Sequence, residues 1–145
     1  MNTMTRTARG LMWVIFWVST ALLAGCATMG DQSVKVTLSG DQEVPPATTS
    51  ASGTGTFVIA ADKSVSGGIK TTCVACTVAH IHVGAAGKNG PVIIPLSKTG
   101  DGEWSVPAGA KLTDEQYGSF KAGDLYVNAH SAQYKGGEIR GQLKP

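Results

Sequence analysis

Charged residues are scarce in this sequence, and neither sign of charge predominates. Of its 145 residues, 15% are charged, with 12 lysines and arginines against 10 aspartates and glutamates. Arg6 and Arg9 lie in an N-terminal segment that we expect to be removed, which leaves 10 basic residues against 10 acidic ones. A protein that binds nucleic acid needs a one-sided positive field. The sequence therefore predicts no nucleic-acid partner.

Aromatic residues and catalytic sequence motifs are also few. Aromatic residues make up 6% of the chain, whereas glycine occurs 19 times and threonine, serine and valine are abundant. This composition argues against a helical bundle and predicts an all-β protein built from short strands and turns. The length excludes a two-domain enzyme. The sequence has no Gly-x-Ser-x-Gly motif and no recognisable acidic pair, so neither a serine hydrolase nor a glycosidase is expected.

One long apolar run lies near the N-terminus. Arg6 and Arg9 precede an almost unbroken apolar stretch over residues 11–23. This stretch is shorter than the ~20 residues that span a bilayer, so residues 1–25 are interpreted as a signal peptide rather than a permanent anchor. It ends in Leu-Ala-Gly-Cys, which resembles the lipobox of bacterial lipoproteins, where the cysteine is lipidated and becomes the first mature residue. The resemblance implies lipidation of Cys26.

The residues after the lipobox complete this prediction. Residues 26–33 are polar and without periodicity, so we expect a lipidated tether there and a folded domain over residues 34–145. Ala27 follows the cysteine, and by resemblance to the enterobacterial sorting rule this favours the outer membrane. The protein is therefore predicted to be attached to a membrane by its lipid, in the cell envelope, and to face the periplasm.

Two further cysteines form a Cys-x-x-Cys pair. Cys73 and Cys76 would lie in an oxidising compartment, where such a pair is a disulfide, a redox active site or half of a metal site. Redox motifs of the thioredoxin type begin a helix, whereas this pair lies between two strand-like segments. We therefore predict a structural disulfide between Cys73 and Cys76 that tightens a turn.

Apolar and polar residues alternate repeatedly along the mature chain. Val34, Val36 and Leu38 alternate with polar residues, which is the pattern of a strand with one buried face. About eight such segments, separated by turn signals, predict an antiparallel Greek-key β-sandwich or barrel. One short connecting helix is predicted over residues 114–121, with Thr113 as its N-cap.

The chain contains three histidines, all in strand-like segments. His80 and His82 are two residues apart, so both imidazoles leave the same face of a strand. His130 alternates with apolar residues in the same way and shares a polar outer face with Tyr126 and Asn128. If the two strands lie close together, the three imidazoles meet outside the core. Three neutral imidazoles with an open position suit copper or zinc.

These histidines therefore predict a metal site, with copper ahead of zinc. Tyr126 or Asn128 would support the ligands from behind. The alternative interpretation is a solvated polar face on which the histidines only form hydrogen bonds.

The sequence also resembles the chordin-type (CHRD) domain over residues 34–143. The motifs that carry this resemblance occur in the order of the family and comprise Leu38 to Pro46, Ala79 to Gly84, Gly90 to Val92, Leu125 to His130 and Gly136 to Leu143. The resemblance implies an immunoglobulin-like β-barrel, distantly similar to copper/zinc superoxide dismutase, in a family without a well-defined biochemical activity.

The likeness to the dismutase extends only to part of its metal centre. His80 and His82 resemble its copper-binding pair, and His130 resembles its later copper histidine. The chain has no histidine to bridge copper and zinc and none for a zinc site, so dismutase turnover is not expected. Arg140 is interpreted as a surface residue paired with Glu138. The expected function is non-catalytic metal binding by a lipid-anchored domain; the alternative is a metal-free envelope module that binds a protein or another envelope ligand.

Overall fold

The computed structural model describes residues 31–145 and contains nine strands and one α-helix. The strands are β1 Gln32–Ser39, β2 Ser52–Ile59, β3 Val65–Thr71, β4 Cys76–Val83, β5 Val92–Pro95, β6 Ser97–Gly100, β7 Glu103–Ser105, β8 Leu125–Ser131 and β9 Ile139–Leu143. The helix α1 covers Asp114–Lys121, and a single 3-10 turn covers Gly40–Gln42. The first strand begins two residues before the predicted start of the domain.

All nine strands belong to one antiparallel sheet that curls into a nearly closed barrel. Their order is β5-β4-β8-β9-β1-β2-β3-β7-β6. The two outermost strands, β5 and β6, are separated in sequence by a single residue, Leu96, whose backbone N–H donates to the carbonyl of Ala79 on β4. One continuous stretch of chain therefore borders both ends of the sheet, and this brings the ends together.

The connections follow a Greek-key pattern. After β4, the β5–β6 stretch and β7, the chain crosses through α1 and returns to place β8 beside β4. Three consecutive antiparallel strands, with a fourth that returns to lie beside the first, define a Greek key. The predicted all-β Greek-key barrel with one connecting helix is confirmed.

The barrel interior is formed by the apolar side of the alternating strands. Its buried members come from every part of the sheet and include Val34, Val36, Leu38, Phe57, Ile59, Ile69, Ile81, Trp104, Val127, Ala129 and Ile139. Because side chains alternate along a strand, burying these residues turns the intervening polar residues to the outside of the barrel.

The connecting helix begins and ends where the sequence predicted. Thr113 accepts a hydrogen bond from the backbone N–H of Gln116, and the Gln116 side chain accepts one from the N–H of Thr113. This capping box satisfies two N–H groups that have no partner within the helix. Phe120 on the inner side is buried in the core and attaches the helix to the barrel.

A second layer covers the outer face of β4, β8 and β9. It consists of residues 40–47, after β1, and residues 84–91, between β4 and β5. The Asn89 side chain joins the two segments by donating to the carbonyl of Val44 at 2.7 Å. Gln142 on β9 donates to the carbonyl of Gly84 at 2.8 Å, which holds the second segment against the sheet. The part of this outer face that holds His82, Tyr126, Asn128 and Arg140 is therefore enclosed, whereas His80 stays partly exposed and Val78 exposed.

Candidate metal centre

The register of β4 against β8 brings the three histidines together. His80 lies opposite Asn128, His82 lies opposite Tyr126, and His130 lies opposite Val78. Residues two apart share a face, so all three imidazoles project from the same side of the two strands. The ring centroids of His80 and His130 are 5.0 Å apart, and those of His80 and His82 are 5.6 Å apart.

One nitrogen from each ring could serve a single ion. The three ligand atoms all lie within 4.8 Å of one another. Nitrogens that bind one ion tetrahedrally at ~2.0–2.1 Å lie about 3.4 Å apart. Ring movements on the order of 1 Å would therefore bring the nitrogens to bonding positions.

Backbone carbonyls orient two of the rings. Nδ1 of His82 lies 2.9 Å from the carbonyl oxygen of Gly90, and Nδ1 of His130 lies 3.0 Å from that of Lys135. A carbonyl only accepts, so each Nδ1 carries the proton and donates it. The lone pair of each ring is then on Nε2. Histidines that bind metals are commonly held by such a hydrogen bond on the nitrogen opposite the metal.

The Nε2 atom of His82 is buried and has no hydrogen-bond partner within residues 31–145. His82 as a whole is 7% exposed. Buried polar atoms in folded proteins nearly always have a partner, so an orphaned lone pair beside two other imidazoles calls for a specific explanation. A metal ion bound at this nitrogen supplies one.

The third ring, His80, completes the cluster from the partly exposed side. Its Nδ1 lies 3.2 Å from Nε2 of His130, which is also 2.9 Å from Oδ1 of Asn128. An asparagine amide has nearly the same shape in both orientations. With its amino group turned towards His130, Asn128 donates to the Nε2 lone pair of the neutral ring. These contacts place Asn128 beside the ligand atoms, on the Nε2 lone pair of His130, so an ion bound at that nitrogen would replace both contacts.

The surroundings keep the rings neutral. Burial lowers the pKa of all three histidines below the ordinary value of free imidazole. The neighbouring rings of His130 and His82 lower the pKa of His80 further. Because only neutral imidazole has a lone pair to donate, the cluster retains its metal-binding form at neutral pH.

The CHRD domain family model matches residues 34–143, the same span that carries the strands and the histidine cluster. The chain belongs to the CHRD domain family. No curated protein and no solved structure matches the chain. The likeness to copper/zinc superoxide dismutase therefore stays a prediction from sequence motifs.

Behind His82 the CHRD domain stacks two more side chains. The rings of His82 and Tyr126 are nearly parallel, with centroids 4.6 Å apart, and the guanidinium carbon of Arg140 lies 3.4 Å from the centroid of Tyr126 on its other face. Tyr126 is buried, and its hydroxyl accepts from the N–H of Gly90 at 3.2 Å. The backbone of Gly90 thus orients both rings: its carbonyl accepts from His82, and its N–H donates to Tyr126.

The interpretation of Arg140 as a surface residue paired with Glu138 is wrong. Arg140 is 1% exposed and donates to the carbonyl of Ala85 at 3.1 Å and to the Gln142 side chain at 3.2 Å. The face that holds His82, Tyr126 and Asn128 was expected to be an outer one, and the covering segments bury it instead. The alternative of a freely solvated face is wrong for His82, whereas His80 and His130 are partly exposed along their strands.

Glu43 is a site residue that the sequence did not reveal. It is 3% exposed, packs against Gly137, and keeps one carboxyl oxygen without a hydrogen-bond partner within the described residues. Burial raises the pKa of Glu43 to about 7, although the Arg140 charge and the Asn128 side chain act in the opposite direction. Its position beside Pro45 and Pro46 indicated only an extended chain, and nothing in the local pattern predicted burial.

The buried Glu43 carboxyl predicts a pH-dependent stability. Its pKa is about 7 in the fold and near 4.5 in the unfolded chain. The folded state therefore holds a proton that the unfolded state has lost, and the free energy of unfolding falls between about pH 4.5 and pH 7, by up to about 3 kcal/mol. Glu43→Gln removes this loss, so the variant should become the more stable protein as pH rises through this window.

Urea unfolding of both proteins at several pH values measures this difference. The histidines contribute a trend of the opposite sign, because their lowered pKa values favour the fold at higher pH, but they are the same in both proteins and cancel. If the free energies of unfolding of wild type and Glu43→Gln changed in parallel with pH, the raised pKa of Glu43 would be contradicted.

Of the three cysteines with predicted roles, two lie within the residues that the structure describes. Cys73 and Cys76 are joined by a disulfide in the connection between β3 and β4. Cys26, with its predicted lipid, and the predicted signal peptide over residues 1–25 lie outside the described residues. Within residues 31–145, no helix has the length and apolar character to traverse a bilayer.

Proposed function

We propose that this CHRD domain binds one transition-metal ion, copper ahead of zinc, through Nδ1 of His80 and Nε2 of His82 and His130. The proposal rests on a buried, partnerless Nε2 on His82 in a cluster where one ring nitrogen from each of three histidines lies within 4.8 Å of the others. A site assembled for hydrogen bonding usually satisfies its buried polar atoms, and the free nitrogen on His82 faces two other imidazoles.

The donor set favours copper among the divalent metals. Imidazole suits copper and zinc, and affinity at a given nitrogen site generally rises along the first-row series to Cu²⁺ and falls again at Zn²⁺. Three imidazoles leave a further coordination position free, on the side where His80 is partly exposed. A bound ion would supply a positive charge and a place for an exchangeable ligand there.

The protein's own residues have distinct roles in this proposal. The carbonyls of Gly90 and Lys135 hold two rings in the tautomer with Nε2 free. Tyr126, pressed between His82 and Arg140, restricts rotation of the His82 ring. Apart from the histidines themselves, the side chain that contacts a ligand atom within residues 31–145 is that of Asn128, a neutral amide that is neither acid, base nor nucleophile, so we propose a binding function without catalysis.

We also propose that the domain works while tethered to the cell envelope. Cys26 would carry the lipid at the outer membrane, and the domain would face the periplasm. The lipobox resemblance supports this location, and the short separation between Cys26 and the start of β1 at Gln32 would keep the domain near the membrane surface. Radiolabelled fatty-acid incorporation that is lost in Cys26→Ser would support it; equal labelling of both proteins would contradict it.

A second candidate function is that of an envelope interaction module. Three large apolar side chains are exposed among the described residues: Val74 at 91%, Val92 at 45% and Val78 at 43%. Val78 lies opposite His130 and Val92 lies opposite His82 across neighbouring strands. These two exposed valines beside the histidines favour contact with another molecule there, with or without a metal.

Metal analysis separates these two functions. Purified protein incubated with one equivalent of Cu²⁺ and then desalted should retain close to one copper per chain, and the variant with all three histidines replaced by alanine should retain almost none. A variant with the exposed acids Asp101→Asn and Glu103→Gln is the control and should match wild type. Equal, substoichiometric copper in wild type and the triple variant would reject the metal site and leave the interaction module.

Copper retention should decrease in acid. Each lowered histidine pKa means that the ring stays neutral to a lower pH than free imidazole, whose pKa is about 6.5. The apparent affinity should thus be nearly constant above neutrality and fall steeply only at a pH below that value, as protons displace the ion from three rings. Competition titrations between about pH 5 and pH 8 would test this. An affinity that does not change with pH would contradict binding by imidazoles.

A further inference from the structure

A second cluster of metal-ligating side chains lies outside the histidine site. Cys73 and Cys76 lie at the two ends of the turn between β3 and β4, and the loop before β9 brings Glu138 against them. The two sulfurs and a carboxylate oxygen lie within 4.8 Å of one another. Cys76 precedes His80 by four residues on β4, which places the clusters roughly 13 Å apart.

Glu138 has an unusual environment for a carboxylate. It is only 9% exposed, and no salt bridge within residues 31–145 includes it. One oxygen accepts from the Thr49 hydroxyl at 2.8 Å, and that hydroxyl in turn accepts from the N–H of Ala51 at 3.0 Å. A disulfide offers no proton or charge to such a carboxylate, so its placement beside two sulfurs is unexplained by the oxidised state alone.

Solvent can reach this cluster. An open groove of ≈ 430 Å³ is lined by residues 49–52, residues 72–75 and Glu138. An ion could enter from the groove, and water could occupy a fourth coordination position there. Thr49 would hold the Glu138 carboxylate from behind, as hydrogen-bonded outer residues commonly do for metal ligands.

We propose that reduction of the disulfide opens a second metal site, in which Cys73, Cys76 and Glu138 bind a thiophilic ion such as Zn²⁺. A dithiol reductant transfers two electrons and two protons to the Cys73–Cys76 disulfide. The reductant becomes a disulfide, and Cys73 and Cys76 become two thiols. The ion then displaces both thiol protons and binds two thiolates and one carboxylate. Two thiolates with an oxygen ligand and water give the four-coordinate arrangement that Zn²⁺ accepts.

This site is independent of the histidine site, and unlike that site it binds metal only in one redox state. The three imidazoles are available in any redox state, whereas Cys73 and Cys76 can bind metal only after reduction. While the disulfide is formed, as in this structure, the site is closed. The domain would thus bind one ion under oxidising conditions and a second ion where a dithiol reductant is present.

Titration with Co²⁺, a spectroscopic substitute for Zn²⁺, tests the proposal on the full-length chain. The protein is reduced with a phosphine, which is then removed without exposure to air, and an oxidised sample of the same chain is the control. We expect one equivalent of Co²⁺ to give a thiolate-to-cobalt charge-transfer band in the reduced sample alone. Imidazole ligands give no such band, so the histidine site does not interfere. Zn²⁺ should remove the band.

Two carboxylate variants test the third ligand. Even outer residues are worth about tenfold in metal affinity, so Glu138→Gln should weaken Co²⁺ binding to the reduced protein by more than about tenfold. Glu103→Gln, which changes an exposed carboxylate on β7, should leave it unchanged. Both variants contain Cys26, so any Co²⁺ that its thiol binds is the same in the two measurements.

Three results would overturn the proposal. The first is equal Co²⁺ binding by the reduced and oxidised chains, and the second is equal affinity of Glu138→Gln and Glu103→Gln. The third concerns folding: if reduction abolishes the near-ultraviolet circular dichroism of the native barrel, added Zn²⁺ must restore it, and failure to do so would rule out a site built by the fold.

Discussion

Replacing Arg140 with leucine is expected to lower the free energy of unfolding by roughly 3–5 kcal/mol at neutral pH, the range found when one member of a buried charged network is removed. The guanidinium is fully enclosed, covers the face of Tyr126 and donates to the carbonyl of Ala85. Leucine fills part of the space but leaves that carbonyl without a donor and removes the positive charge that favours ionised Glu43. Urea denaturation measures the loss.

A surface cation provides the control for Arg140. Lys70 is exposed and pairs with Glu103 at 2.8 Å, so Lys70→Leu should cost under about 1 kcal/mol. Because Glu43 and Arg140 interact, adding Glu43→Gln to Arg140→Leu should restore part of the lost stability. An effect of Arg140→Leu as small as that of Lys70→Leu would mean that the covering layer does not enclose this residue.

Replacing any one of the three histidines with alanine is expected to weaken copper binding by more than about 100-fold, because even residues behind the ligands are worth 10–100-fold. His82→Ala removes the ligand that has no other partner, and His130→Ala also releases the Lys135 carbonyl. His80→Ala removes the partly exposed ligand. Competition with a chelator of known affinity, at fixed pH, gives the three values.

The control for these variants is a side chain in the covering layer that does not face the ion. Asn89 is exposed and bonds to the Val44 carbonyl, so Asn89→Ala should leave copper affinity within a few-fold of wild type. Tyr126→Leu should weaken binding because it removes the stacking surface behind His82, whereas Tyr126→Phe keeps that surface and should change affinity little. If Asn89→Ala and the histidine variants weakened binding equally, metal loss would reflect damage to the fold.

Local patterns predicted the elements that carry the site. Alternation in residues 77–83 and 125–130 identified β4 and β8, each one residue shorter than in the structure. It also showed which residues share a face, because this depends only on the two-residue repeat of a strand. The helix over Asp114–Lys121 followed from its capping box, which is also local. The meeting of His80 with His130 required the pairing of strands 50 residues apart, and alternation alone does not determine that register.

The same patterns could not show that the polar face is buried. Alternation separates two faces, but whether a face is covered depends on segments distant in sequence. Here residues 40–47 and 84–91 fold over β4, β8 and β9, and they enclose Glu43 and Arg140. The sequence indicated a surface position for Arg140 and gave no sign that Glu43 is buried, so the enclosure of both residues is known only from the tertiary packing.

X-ray absorption by the copper-loaded protein is the most direct test of the histidine site. We expect three imidazole nitrogens at about 2.0 Å from the ion, recognisable by scattering from the outer ring atoms, with a non-imidazole light-atom ligand completing the shell. A shell of oxygen ligands with one imidazole or none would contradict it, since His80, His82 and His130 would then be neighbours on a buried face without being joint ligands.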